Sequence, residues 1–100
     1  MKIVCICGST RFKEELMEAN RIETMAGNIV LAPGVFGHSG DPLTAKEKMY
    51  LDLLHFRKIK MADEVLVVNP NNYIGESCLS EIQYAKSLKK PIRYTDNEGR

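Results

Sequence analysis

Short apolar runs alternate along the chain with segments whose apolar residues recur at spacings of three and four. Consecutive apolar residues are typical of strands buried on both faces, whereas the recurring pattern is typical of amphipathic helices. The strands are predicted at residues 2–7, 29–32, 64–69 and 91–94, and the helices at residues 11–26, 44–61 and 77–90. Residues 33–43 are rich in glycine and proline and are predicted to form an irregular loop that closes over a ligand.

The order of these elements, β-α-β-loop-α-β-α-β, predicts an α/β fold with a small, open, doubly wound parallel sheet of the Rossmann or flavodoxin type. Right-handed crossovers give the strand order 2-1-3-4, with helices on both faces. Ligands bind such sheets beyond the carboxyl ends of the strands, where the strand order reverses. That point lies here between the first and third strands, so the loops at 7–11 and 69–77 are expected to border a ligand. One hundred residues are enough for one domain, residues 1–100.

Charge and hydropathy narrow the range of partners. Fourteen basic and 13 acidic side chains give a formal net charge of +1, which offers no electrostatic footprint for nucleic acid or an acidic membrane. No apolar run approaches the roughly 20 residues of a membrane span. Residues 1–7 are predicted to be a strand rather than a signal peptide. Three cysteines without an export signal then indicate a reducing, cytoplasmic setting.

Cys5 and Cys7 are two residues apart and share one face of the first strand. They are expected to serve as small core side chains. A Cys-x-Cys metal site needs a second pair of ligands, and none is found in the sequence. The sequence therefore predicts neither a metal site nor a cofactor.

Gly8, Ser9, Thr10 and Arg11 form a turn between the first strand and the first helix. Gly8 permits a tight turn, Ser9 and Thr10 add hydroxyl groups that can also cap the helix, and Arg11 adds a fork suited to phosphate. Free backbone amides at the start of a helix also favour an anion. The turn is therefore a candidate phosphate site, and the alternative is an ordinary capped turn.

Glu81 lies at the edge of the apolar stripe of the third helix. The stripe consists of Cys78, Ile82, Ala85 and Leu88. A half-desolvated carboxylate in the first turns of a helix that faces a cleft can serve as a positioned nucleophile. The alternative is a glutamate that only interacts favourably with the helix dipole. Glu76 projects away from the stripe and is expected to be solvated.

The second helix carries Asp52 and His55 at a spacing of three, so the two side chains can touch. A carboxylate beside an imidazole orients it and raises its pKa, which suits acid–base catalysis. The alternative is a surface pair without a catalytic role.

The same helix, residues 44–61, has two apolar stripes where a surface helix needs one. They consist of Met49, Leu53 and Phe56, and of Tyr50, Leu54 and Met61. The second stripe predicts a homodimer that forms through this helix.

Three stretches of the chain match a known family in order and spacing. They are Ile-Cys-Gly-Ser-Thr-Arg at 6–11, Met-Ala-Asp-Glu-Val-Leu-Val-Val at 61–68, and Ser-Glu-Ile-Gln-Tyr-Ala at 80–85 followed by Lys-Pro-Ile at 90–92. On these motifs the chain resembles the nucleoside 2-deoxyribosyltransferase superfamily, which includes the 2′-deoxynucleoside 5′-phosphate N-hydrolases.

The resemblance implies cleavage of an N-glycosidic bond in a nucleoside or nucleoside 5′-monophosphate, in two steps like those of retaining glycosidases. It assigns the nucleophile to Glu81, and the Asp52–His55 pair completes the predicted catalytic set. Phosphate and sugar contacts fall to Gly8, Ser9 and Arg11, and the predicted binding set is completed by Thr10, Gly75 and Ser77.

The chain departs from the family pattern at three positions. His55 stands where members carry an aspartate that helps the base to leave, and a histidine can donate a proton to that base. Gly75 stands where transferases carry an acidic residue, and Gln83 where glycine is common. The departures argue more strongly against a transferase than against a hydrolase. They leave a non-catalytic nucleotide-binding module as the alternative function.

Overall fold

A computed structural model describes residues 1–37 and 40–97, so residues 38 and 39 of the predicted loop lie outside the described residues. The elements are β1 (Ile3–Cys7), α1 (Lys13–Met25), β2 (Ile29–Leu31), α2 (Ala45–Met61), β3 (Glu64–Val67), α3 (Glu76–Ser87) and β4 (Ile92–Tyr94). All seven predicted elements are present. Their ends differ from the prediction by up to three residues, because helix ends fray and short strands lose pairing at their tips.

The sheet is parallel throughout, in the predicted order β2-β1-β3-β4. β1 lies in its centre, where Val4 pairs with Val30 on one side and Glu64 on the other. Its residues from Val4 to Cys7 are fully buried. This explains why the sequence of β1 is almost continuously apolar.

The two faces of β1 contribute to two separate cores because side chains alternate along a strand. On one face Val4 and Ile6 pack with Leu16 and Ala19 of α1. On the other face, residues of α2 and α3 pack against the two cysteines of the strand; the members that are fully or nearly fully buried are Cys5, Cys7, Ile59, Ala62, Val65, Val67, Cys78, Ile82 and Ala85. Helices therefore cover both faces of the sheet, as predicted. No helix in the described ranges 1–37 and 40–97 is long and apolar enough to cross a membrane.

α1 begins later than predicted and without the predicted cap. Its N-cap residue is Phe12, and no side chain caps the helix. The hydroxyl of Ser9 instead accepts a hydrogen bond from Nε of Arg11 at 3.2 Å. The prediction that Ser9 or Thr10 caps α1 is therefore wrong, because the turn after β1 takes two more residues before the helix starts.

One buried position of α1 is acidic: Glu23 is 7% exposed, whereas the neighbouring Ile22 is 51% exposed. Glu23 accepts a hydrogen bond from Nη2 of Arg93 at 2.8 Å. Nε of Arg93 also donates to Glu64 at 3.1 Å, and Lys2 lies 3.5 Å from the same carboxylate. Burial alone would raise the pKa of Glu64, but the hydrogen bond and charge of Arg93 lower it below its ordinary value. Arg93 thus links α1, β3 and β4 through two buried carboxylates.

Replacing Arg93 tests this network. We expect Arg93→Ala to lower the free energy of unfolding by about 1–3 kcal/mol, because two buried carboxylates lose a hydrogen-bond donor. The low pKa of Glu64 contributes stability above its unfolded-state pKa, and that stability is lost as the pH falls through the folded-state value. Urea unfolding of the variant at several pH values should therefore show a weaker loss of stability in acid than the parent protein shows. Arg21→Ala, which removes an exposed pair with Glu18, is the control and should change little; equal effects would contradict the network.

Candidate functional site

A cavity of about 650 Å³ lies beyond the carboxyl ends of β1 and β3. Its walls come from the turn after β1, the segment after β3, the start of α3, one side of α2 and part of the loop that precedes α2. All nine predicted site residues line it: Gly8, Ser9, Thr10, Arg11, Asp52, His55, Gly75, Ser77 and Glu81. The topology therefore brings the predicted residues together at the switch point of the sheet.

Gly8 is required by the close approach of two chain segments. A Cβ atom at this position would lie only 2.8 Å from the backbone oxygen of Val68, which follows β3. The turn after β1 therefore packs directly against the end of β3. Gly75 is under no such constraint, since the atom nearest to an added Cβ would be the hydroxyl oxygen of Tyr73 at 3.5 Å.

Arg11 is held at the mouth of the cavity by two contacts. Its Nε donates to Ser9, and its guanidinium lies 4.7 Å from the centre of the Tyr73 ring. The ring of Phe12 packs edge-on against Tyr73, with ring centres 5.6 Å apart. Tyr73 was missed in the sequence, although its position in the loop after the third strand could have pointed to the cavity. The stacked guanidinium presents a positive charge to any ligand.

Asp52 contacts a lysine instead of the predicted histidine. Its carboxylate lies 3.1 Å from Nζ of Lys48, one helical turn earlier on α2. The same Nζ donates to the hydroxyl of Ser77 at 3.3 Å and so connects α2 with the start of α3. No hydrogen bond or ion pair joins Asp52 to His55 within the described part of the chain. The i,i+4 spacing of Lys48 and Asp52 was a signal for this pair that sequence reasoning passed over.

His55 lies inside the molecule, so the surface-pair alternative is wrong. Its side chain is 8% exposed, and its Nε2 is 3.7 Å from Oε1 of Glu81, whose side chain is 13% exposed. The same nitrogen is 3.3 Å from Sγ of Cys7 and 3.8 Å from Sγ of Cys5. β1, α2 and α3 therefore each contribute to one buried polar cluster of Cys5, Cys7, His55 and Glu81.

Burial and mutual contact shift the pKa of each group in this cluster. Burial raises the pKa of Glu81, and the charge of His55 offsets only part of that rise. Burial alone would lower the pKa of His55, but the hydrogen bond with Cys5 and the charge of Glu81 raise it above its ordinary value. The hydrogen bond with Cys7 lowers the pKa of Cys5 to about 5, while the same contact and burial raise the pKa of Cys7. The lowered pKa of Cys5 favours a thiolate at this position near neutral pH.

The sequence predicts no second pair of ligands for Cys5 and Cys7, and the structure places one further ligand, the ring of His55, beside both thiols. Sequence reasoning missed this contact because 48 residues separate Cys7 from His55 along the chain, and no local spacing indicates it. The third thiol, Cys78, also lines the cavity, and burial raises its pKa to about 12.

Comparisons with known proteins found no relative: no family model and no curated protein matches this chain.

The pKa of His55 tests which carboxylate acts on the imidazole. We expect a pKa above the ordinary value of about 6.5 and a lower pKa in Glu81→Gln, because the imidazolium then loses its negative neighbour. Asp52→Asn removes the carboxylate that pairs with Lys48 and should shift the pKa less. NMR titration of the imidazole Hε1 resonance in a His38→Ala background, which leaves one histidine in the chain, measures all three proteins. A larger shift in Asp52→Asn than in Glu81→Gln would contradict the assignment.

Proposed function

We propose that this protein is an N-glycosidase-type enzyme that cleaves, or transfers, the base of a nucleoside or nucleoside 5′-monophosphate, with Glu81 as the nucleophile. The observation that carries the proposal is the position of Glu81. Its carboxylate is nearly buried beside His55 and opens on a cavity that Arg11 also lines. The motif resemblance to the nucleoside 2-deoxyribosyltransferase superfamily supports the same residue.

The reaction proceeds in two displacements at the anomeric carbon of the sugar. An oxygen of Glu81 bonds to C1′ while the C–N bond to the base breaks, and the base takes up a proton from solvent as it leaves. Water then attacks C1′, breaks the ester to Glu81 and loses a proton, which restores the carboxylate. In a transferase a second base takes the place of water. Burial suits this chemistry, because a weakly solvated carboxylate is a stronger nucleophile.

Binding of a 5′-phosphate falls to the turn after β1 and to the start of α3. The turn after β1 places its own backbone and the guanidinium of Arg11 at the cavity. The N-terminus of α3 has no side-chain cap, and Gly75 and Ser77 at that end line the same cavity. Amide groups at a helix N-terminus and a guanidinium are the groups that proteins use to bind phosphate.

His55 acts on Glu81 rather than on the leaving base. Its Nε2 is directed at the two thiols and at Glu81, and its side chain is almost fully buried. An imidazolium in this place holds the carboxylate in one position and favours its ionised form. His55 is therefore a positioning residue, and this replaces the role of proton donor that its alignment with the family aspartate suggested.

Glu81→Gln tests the nucleophile. We expect base release from a panel of ribo- and deoxyribonucleoside 5′-monophosphates to fall about 1,000-fold or more, because an amide cannot form the glycosyl ester. Chromatography of the free base measures the rate, and thermal stabilisation by the same nucleotides measures binding. Glu15→Gln, which changes an exposed glutamate of α1, is the control. Full activity of Glu81→Gln would refute the assignment, and stabilisation of the parent protein without base release would favour the non-catalytic nucleotide-binding module.

Arg11→Ala tests the phosphate contact. We expect the KM for the 5′-monophosphate to rise about 10- to 100-fold, which is the loss of a charge-assisted hydrogen bond. The KM for the corresponding nucleoside should stay the same, because it has no phosphate. Steady-state kinetics with the two substrates measures this difference. A similar change for both would show that Arg11 does not bind the phosphate.

We also propose a homodimer that forms through α2. Five apolar side chains of this helix are 40–68% exposed: Met49, Tyr50, Leu53, Leu54 and Met61. Phe56 of the predicted stripe is instead half-buried against Tyr84, with ring centres 4.9 Å apart. An exposed apolar surface of this kind is typical of a subunit interface. Leu54 also lines the cavity, so a partner subunit on α2 would help to close the site.

Leu53→Glu tests the dimer. We expect the parent protein to elute as a dimer and the variant as a monomer, because a charge at the centre of an apolar interface is costly. Size-exclusion chromatography with light scattering measures the mass. Met17→Glu places the same charge on an exposed methionine of α1 and should leave the dimer intact. A parent protein that is monomeric at high concentration would contradict the proposal.

We extend the proposal to the small-molecule partner and to the location of the protein. The proposed ligand is a nucleoside or nucleotide, since the cavity has the size of a small-molecule site. Cys5, Cys7 and Cys78 are free thiols, which suits the reducing conditions of the cytoplasm, and we place the protein there.

A further inference from the structure

The buried polar cluster at the base of the cavity has the composition of a metal site. The Sγ atoms of Cys5 and Cys7 and a ring nitrogen of His55 all lie within 4.8 Å of one another, and all three residues are buried. Glu81 lies at the edge of this group: its Oε1 is 3.7 Å from Nε2 of His55, but Glu81 is not one of the residues whose ligand atoms all lie that close together. Two thiols, an imidazole and a carboxylate are a donor set typical of Zn²⁺ and other thiophilic ions.

The distances within the cluster match the edges of a zinc tetrahedron. With Zn–S bonds of about 2.3 Å and Zn–N bonds of about 2.0–2.1 Å, sulfur and nitrogen ligands stand about 3.6 Å apart. The two Sγ–Nε2 distances are 3.3 Å and 3.8 Å, on either side of that value. The same bond lengths place a carboxylate oxygen about 3.4 Å from the nitrogen, close to the 3.7 Å observed for Glu81. A movement of the Glu81 carboxylate toward the two sulfur atoms would therefore complete the coordination.

A single hydrogen bond from His55 cannot satisfy all of its neighbours in the cluster. Nε2 of His55 has three neighbours, which are two sulfur atoms and one carboxylate oxygen. An imidazole nitrogen can donate one hydrogen bond at most. A divalent cation would bind the two thiolates and the imidazole at once and would offset two of the three negative charges of the thiolates and the carboxylate.

A disulfide between the two strand cysteines is not a competing use of the cluster. Cys5 and Cys7 are two residues apart on β1, so their side chains leave the strand in parallel, roughly 6.6 Å apart. A disulfide needs Cβ atoms about 3.5–4.5 Å apart. Two sulfur ligands on zinc are about 3.8 Å apart, which parallel side chains reach by rotating at χ1 without moving the strand.

We propose that Cys5, Cys7, His55 and Glu81 bind one thiophilic metal ion, and that the bound ion inhibits base release by occupying the carboxylate of Glu81. The inhibition rests on the function proposed above, whereas the binding does not. The ion enters through the cavity, since both His55 and Glu81 line it. Cys5 and Cys7 coordinate as thiolates, and any thiol proton passes to solvent on binding.

Metal binding is tested first on the parent protein, without a substrate. Reduced, metal-free protein is titrated with Co²⁺ and then with Zn²⁺, which displaces it. We expect one equivalent of Co²⁺ to give thiolate-to-cobalt charge-transfer absorption and the intense visible bands of a tetrahedral ion, and one equivalent of Zn²⁺ to abolish both. A cobalt spectrum without thiolate charge transfer would overturn the proposal, whatever the variants do.

Variants then assign the ligands. We expect Cys7→Ala and His55→Ala each to weaken Zn²⁺ binding about 100-fold or more, measured by competition with a chromophoric chelator, because each removes a direct ligand. Cys78→Ala removes the third buried thiol, which lies outside the group of metal-ligating atoms, and should bind Zn²⁺ like the parent protein. Far-UV circular dichroism checks that each variant folds. Equal affinity in Cys7→Ala and Cys78→Ala would overturn the assignment.

The base-release assay separates the metal site from the proposed enzyme. Release that stops with one equivalent of Zn²⁺ and returns with a chelator supports inhibition. Unchanged release from protein that shows the cobalt spectrum overturns the inhibition. If the metal-free protein gives the cobalt spectrum but releases no base from any nucleotide, the proposed function fails and the metal site stands.

Discussion

The alternation of side chains along β1 is the constraint on which the rest of the structure depends. Val4 and Ile6 build one core with α1, and Cys5 and Cys7 build the other with α2 and α3. The thiols of Cys5 and Cys7 are buried with the strand and need hydrogen-bonding partners. His55 of α2 supplies one, because its Nε2 lies 3.8 Å and 3.3 Å from their Sγ atoms.

The cluster beneath the cavity explains why a buried carboxylate can be retained there. Glu81 would be costly to bury alone, since a desolvated charge needs a compensating partner. His55 provides the compensating charge, and Lys48 and Arg11 add positive charge elsewhere in the cavity. The proposed nucleophile and the proposed metal site share these neighbours, so both proposals depend on the same contacts.

Much of the fold could be predicted from the sequence, because buried parallel strands leave a strong local signal. The strand order and the location of the cavity followed from the alternation of strands and helices. Contacts between distant segments could not be predicted. The link from Cys7 to His55 and the link from Lys48 to Ser77 depend on how α2 and α3 pack on the sheet. Glu23 of α1 is likewise buried because it binds Arg93, which lies 70 residues further along the chain.

The central claim is that Glu81 forms a covalent bond with the sugar, and trapping that intermediate tests it most directly. A 2′-deoxy-2′-fluoro nucleoside 5′-monophosphate slows the second displacement, because fluorine destabilises the positive charge that develops at C1′. Mass spectrometry of protein incubated with this analogue should show one added fluorosugar phosphate, located on the peptide that contains Glu81 and absent from Glu81→Gln. An adduct on another residue, or an equal adduct on Glu81→Gln, would contradict the account.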